Sequence, residues 1–177
     1  MSFEIRRLTA ADAPALWEAG VESVEAVYPW MPWCHPGLTL DEVAAYIRWT
    51  TEAWEQDQTY SFGIFEAETG THVGGIGLSH VERGNELANL FYWVRSSYAG
   101  RGAATAATRL IAHFAFEELG LRRVEIVVAV SNHASQRVAE KAGATREGVL
   151  RKRVLVHSES HDGVMYSLID EDLQAPG

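Results

Sequence analysis

Cysteine is almost missing from this chain: Cys34 is the only one in 177 residues. A lone thiol forms no internal disulfide and no multi-cysteine metal site, and in "MPWCHPG" only the adjacent His35 offers it a base. A reduced, cytoplasmic setting is expected. Positive charge is also scarce. Fifteen Lys and Arg stand against 24 Asp and Glu, a formal charge of −9. That excludes the basic face a nucleic acid would need and suits a cationic partner, an amine or a basic polypeptide end. No window approaches the ~20 apolar residues of a membrane span, so no membrane partner is expected. "MSFEIRRL" lacks the apolar core of a signal peptide. His157 and His161 have H-x-x-x-H spacing, but "HSESH" reads as a turn between strands, so no metal is expected. No linker, repeat or low-complexity segment breaks the chain, and residues 1–177 read as one domain.

What is present alternates between strand and helix patterns. "FEIRRL" reads as a strand and "TAADAPALWEAGVES" as a helix, with Thr9 or Asp12 as its cap. Prolines at 29, 32 and 36 interrupt the chain before "TLDEVAAYIRWTTEAWEQD". There Thr39 and Glu42 have capping-box spacing, and Val43, Tyr46, Ile47 and Trp54 mark a helical face. "YSFGIFEA" and "HVGGIGLSHV" predict a hairpin, and "LANLFYWV" a third strand. A long helix follows, with Ala103, Ala107, Leu110, Ile111 and Phe114 on one face and Gly120 at its stop. "LRRVEIVVAV" predicts a buried strand, and "NHASQRVAEKAG" a short helix between Asn132 and Gly143. "ATREGVLRKRVLV" and "DGVMYSLID" predict two last strands. The expected fold is therefore α/β: one mixed, mostly antiparallel sheet of about seven strands flanked by helices.

The chemistry concentrates in "YAGRGAATAATRLIAHFAFEELG", Tyr98 to Gly120. Glycine costs conformational order, so Gly100 and Gly102 in front of a helix serve a tight turn or a bound anion. The first helical N–H groups have no partner within the helix and carry positive potential. Gly100 and Gly102 let those amides close around a phosphate, Arg101 adds charge, and Ala103, Ala104, Thr105 and Ala106 leave room beside it. The dinucleotide fingerprint fails, because Thr105 occupies the third glycine position, and the P-loop string is absent.

"LFYWVRSSYAGRGAATAATRLIAHFAF" together with "NHASQRVAEKAGATREGVLR" resembles the GNAT superfamily of acetyl-CoA-dependent N-acetyltransferases, and most of all its branch acting on ribosomal-protein N-termini. The likeness runs through nearly the whole chain. It implies a splayed pair of parallel strands in the sheet, with the pantetheine arm between "LFYWV" and "VEIVVAV", against backbone at Trp93, Val94 and Arg95. An N–H near Val94 would polarise the thioester carbonyl. In the loop motif Gly102 and Ala104 match the family and Ala99 departs from it. Asn132 and Ser135 match the N-x-x-S element: Asn132 would contact the arm, Ser135 would protonate the leaving thiolate, and Lys141 would reach phosphate. From the residues alone, Asn132 and Ser135 equally describe an N-cap and a first turn.

The resemblance leaves the proton acceptor open. Asn89 and Val154 fall where relatives carry acids, and neither can be a base. His80, Glu82, Glu86 and Asp162 are the remaining candidates, with Glu82 foremost, and Tyr166 is an alternative thiolate acid. Trp30, Trp33 and Asn89 are expected to shape the acceptor site, and Glu22 and Glu25 to attract its ammonium. The expected function is acetyl transfer from acetyl-CoA, without metal, to a primary amine of a protein N-terminus or small molecule, and the resemblance implies a homodimer. The alternative is a non-catalytic CoA-binding module.

Overall fold

Seven strands and four helices make up the computed structural model, which describes residues 1–173. The strands are β1 (Phe3–Arg6), β2 (Tyr60–Glu66), β3 (His72–Glu82), β4 (Leu87–Val94), β5 (Arg123–Ala129), β6 (Thr145–Val156) and β7 (Glu159–Ile169). They form one sheet in the order β1-β2-β3-β4-β5-β7-β6. The helices are α1 (Ala13–Val27), α2 (Leu40–Glu55), α3 (Ala103–His113) and α4 (His133–Ala142).

Local chemistry sets most boundaries. Thr39 and Glu42 close the capping box of α2: the Thr39 Oγ accepts the Glu42 N–H, and the Glu42 carboxylate accepts the Thr39 N–H. At the first strand the structure departs from expectation. β1 ends at Arg6 rather than Leu8, because Asp12 draws the chain into a short turn. Its carboxylate accepts the Thr9 N–H at 2.7 Å and holds Arg6 with bonds of 2.7 and 3.0 Å, so α1 starts only at Ala13. The helix expected to run to Gly120 is also interrupted. α3 ends at His113 and widens into a π turn, Phe114–Glu118, and Leu110, expected on the buried face, is exposed.

Alternation along the strands splits the core between the two faces. Ile64, Ile76, Leu90, Val124 and Ile126 pack with Ala107 and Ile111 of α3. Phe65 and Trp93 point the other way and pack with Leu16 of α1 and Val43 and Ile47 of α2.

The feature that positions the site is the pairing of β4 with β5, the one parallel pair among adjacent strands. It holds only at Leu87↔Arg123, Ala88↔Val124 and Asn89↔Glu125. Beyond Asn89, β4 keeps its ladder with β3 as far as Val94↔Gly74, and β5 keeps its own with β7 as far as Ala129↔Gly163. Each strand follows its outer neighbour, and the two part.

Candidate active site

The parting strands open a cavity of about 610 Å³ between β4, β5 and the N-termini of α3 and α4. Antiparallel pairing alternates the direction of peptide groups along a strand. The Arg95 N–H donates to the Val73 carbonyl at 2.8 Å, so peptide groups of Arg95, Trp93 and Phe91 face β3. Those of Val94 and Tyr92 then face the cleft, where no ladder partner meets them. An extended amide-bearing chain can satisfy such an edge as an added strand.

At the top of the cleft, Gly100 and Gly102 adopt left-handed backbone, φ 76° and 87°, and a Cβ on either would meet open space. The Ala99 and Arg101 N–H groups are used inside the turn, by Ser96 and Tyr98 carbonyls, and the Ala106 N–H closes on Gly102. The amides of Gly100, Gly102, Ala103, Ala104 and Thr105 precede the first helical bond and have no acceptor among the described residues. This is an anion cradle at a helix N-terminus. Across the cleft Arg137 and Lys141, one turn apart on α4, line the same cavity without an ion-pair partner among the described residues. The amides and cations suit a diphosphate, and the β4 edge suits an amide-bearing arm, so the cleft fits coenzyme A.

Trp30, Asn89, Trp93, Val94, Gly100, Gly102, Ala103, Ala104, Thr105, Asn132, Ser135 and Lys141 are brought together around this one cavity. Asn132 caps α4, its Oδ1 accepting the Ser135 N–H at 3.1 Å. Ser135 has a partner that sequence reasoning missed: the Tyr92 hydroxyl lies 2.7 Å from its Oγ and 3.0 Å from its carbonyl oxygen. Burial pushes the Tyr92 phenol up to about 12, so it stays protonated and remains a donor. Arg137 was missed too, although its spacing of four from Lys141 marks a shared helical face.

Other expected site residues lie elsewhere. Arg95 spends its N–H on Val73, and its guanidinium bonds Glu22 at 2.6 Å. Glu22 is engaged there and by the Ser97 N–H, so it attracts no substrate ammonium. Arg101 does not line this cavity; its guanidinium rests over the Tyr98 ring. Tyr166 is fully buried and donates to Glu140 at 3.0 Å, which turns it from the cleft toward α4. Glu82 is exposed and accepts from Asn85. It ends β3 opposite Leu87, at the closed end of the parallel pair, whereas the cleft opens at the other end. The same geometry removes His80 and Glu86, and Glu86 pairs with Arg122. Asp162 accepts the Lys152 N–H. Cys34 is buried, donates to the Gly20 carbonyl at 3.3 Å and is pushed up to about 11 by burial, so it is no nucleophile.

A second cavity of about 600 Å³ adjoins the first and shares Trp30, Met31, Phe91 and Trp93 with it. Trp33 lines only this one, with its ring edge-on to Trp93 at 5.1 Å. The β6–β7 turn bridges to the segment after α1. His157 Nε2 lies 2.7 Å from the Tyr28 carbonyl, and the two rings are 4.4 Å apart.

A sheet parted at one parallel pair, with free amides ahead of the following helix, defines a coenzyme A-dependent acyltransferase. The chain belongs to the GNAT acetyltransferase family: the family model described as "Acetyltransferase (GNAT) domain" matches residues 3–145. It is an acetyl-CoA-dependent N-acetyltransferase. A Bacillus subtilis (strain 168) protein named "Putative ribosomal N-acetyltransferase YdaF" is 32% identical over 171 residues, 95% of this chain and 91% of that protein. The ribosomal-protein-serine acetyltransferase of Escherichia coli (strain K12) is 29% identical over 97 residues, 55% of this chain and 54% of that protein. The solved structure of Mycobacterium smegmatis RimJ in complex with CoA-disulfide superposes with a TM-score of 0.88 at 24% identity, covering 98% of this chain and 84% of that one. Among the described residues no helix is long and apolar enough to cross a membrane, and no three His, Cys, Asp or Glu side chains cluster as metal ligands.

Proposed function

We propose that the chain acetylates a primary amine, of a protein chain end or a small molecule, by direct attack within the cleft between β4 and β5. The observation that carries this reading is the coincidence in one cavity of unpaired β4 amides, free amides at the front of α3, and the Tyr92–Ser135 hydroxyl pair. When bound, acetyl-CoA supplies an electrophilic thioester carbonyl. The amides of Gly100 and Gly102–Thr105, with Arg137 and Lys141, would hold the diphosphate. The peptide groups of Tyr92 and Val94 bind the pantetheine arm, and the Val94 N–H polarises the carbonyl. Ser135 presents a proton to the sulfur, and Tyr92 orients it. The amine gains the acyl carbon and gives up a proton, while the C–S bond breaks and the sulfur takes a proton. A protein acceptor is supported by the names of the two curated relatives, both acetyltransferases described as ribosomal.

The test is turnover of acetyl-CoA with a panel of amines, with mass detection of the product. Acetylated amine formed together with free CoA is the expected result. Binding of CoA with no product from any amine would sink the reading.

A further inference from the structure

The second cavity carries features that the transfer reaction does not use. Six aromatic rings wall it: Trp30, Trp33, Tyr46, Trp49, Phe91 and Trp93. Three of these are left partly open to water, Trp33 at 38%, Tyr46 at 37% and Trp49 at 47%. Gly77 stands across from Phe91, and a Cβ there would come within 2.3 Å of its ring, so β3 is kept bare for that wall.

Charge inside this cavity is already neutralised. Glu42 is its one carboxylate among the described residues, and both its oxygens are taken. Oε2 accepts the Thr39 N–H and O–H at 2.8 Å each, and Oε1 lies 3.0 Å from His35 Nε2. The other His35 nitrogen lies 3.0 Å from the Pro36 carbonyl. Both ring nitrogens face acceptors, and the Pro36 carbonyl and the Glu42 carboxylate raise the pKa of the ring, which favours its charged form paired with Glu42. A polyamine would bring further ammonium groups with no anion to meet them, and a free amino acid would bring a carboxylate with no spare cation.

No base is at hand either. Among the described residues the first cavity is lined by no Asp, Glu or His, and the second only by the occupied His35–Glu42 pair. An alkylamine with pKa about 10.4 is almost wholly protonated at pH 7, whereas an α-amine at about 7.7–8.0 is neutral several hundred times more often. A site without a base thus favours α-amines.

We propose that the acceptor is the α-amine of an aromatic aminoacyl unit with a blocked carboxyl group, its ring seated among these aromatic walls and its nitrogen directed past Trp93 into the cleft. This assignment rests on the acyl-transfer reading above. Ring stacking and a neutral amide together match what the walls offer.

The full chain would be given phenylalaninamide, tryptophanamide and a Phe-initiated tripeptide, beside alaninamide, phenethylamine, free phenylalanine and spermidine. At pH 7, kcat/KM for phenylalaninamide is expected to exceed each of the last four by roughly tenfold or more. Its lead over phenethylamine should shrink as pH rises toward 10. The amide and the tripeptide distinguish a free small molecule from a chain end. A second readout needs no turnover: N-acetylphenylalaninamide should quench tryptophan fluorescence saturably, and Trp49→Ala should weaken that binding while CoA affinity is unchanged. If alaninamide or spermidine matches phenylalaninamide, or the fluorescence does not respond, the acceptor assignment is overturned while acyl transfer stands. A saturable fluorescence response with no amine acetylated would overturn the acyl-transfer reading, and the assigned acceptor with it.

Discussion

Gly75 sits directly across the β3–β4 ladder from Trp93, and the indole occupies the space a side chain at Gly75 would need: a Cβ there would come within 2.5 Å of Nε1. The bare position on one strand thus aims the ring on the next, and that ring is the wall shared by both cavities. Gly75→Ala should displace the indole at a cost of about 1–3 kcal/mol in stability. Chemical denaturation would show the loss, and the acceptor KM should rise more than that for acetyl-CoA. Unchanged stability and unchanged KM values would separate the ring from the site.

Gly102 carries the left-handed turn in front of α3. Gly102→Asp adds an anion to the amide cradle as well as a Cβ, and the Kd for acetyl-CoA should rise tenfold or more, about 1.4 kcal/mol. Gly102→Ala adds only the left-handed strain, about 1–2 kcal/mol, and serves as the control by calorimetry. Equal affinity in the Asp variant and the parent would remove the loop from the cofactor site.

Ser135→Ala should lower kcat by roughly a hundredfold with little change in the KM for acetyl-CoA. Tyr92→Phe deletes one hydrogen bond to the same side chain, about 1 kcal/mol, and should lower kcat roughly fivefold. A loss confined to KM in either variant would reduce the pair to a binding role.

His72 governs the acid side of stability. It is buried, neither ring nitrogen has a partner among the described residues, and burial pulls its pKa down to about 4 from 6.5. The unfolded chain takes up the proton first, so stability is full above about pH 6.5 and falls as pH drops toward 4, by about 3 kcal/mol. Asp12, held at about 2 chiefly by the Arg6 hydrogen bond, begins to cost stability only below about pH 4. Urea titrations from pH 7 to 4.5 should show the loss, and His72→Leu should flatten it. An equal slope in that variant would assign the proton uptake elsewhere.

The sheet and its helices were legible because local chemistry decided them. "LANLFYWV" is β4 to the residue, and Thr39 with Glu42 marked the start of α2. The cleft itself depends on where a parallel ladder stops, a matter of register between strands far apart in sequence. That is why Glu82, close to β4 in sequence, proved to lie at the wrong end of it. Tyr46 shows the other limit. Its helical spacing matched a core face, yet the ring lines a cavity, and apolar periodicity reads the same for both. Tyr92 was overlooked because β4 was read for its backbone, while its hydroxyl meets Ser135 from 43 positions away.

The partition formed by Trp30, Met31, Phe91 and Trp93 has a kinetic meaning. Under the proposed reading, donor and acceptor occupy neighbouring rooms, and neither guest has to vacate before the other arrives. With the only thiol sealed inside the protein, no cysteine relay stands between them. Double-reciprocal plots over both substrates should then intersect, the signature of a ternary complex.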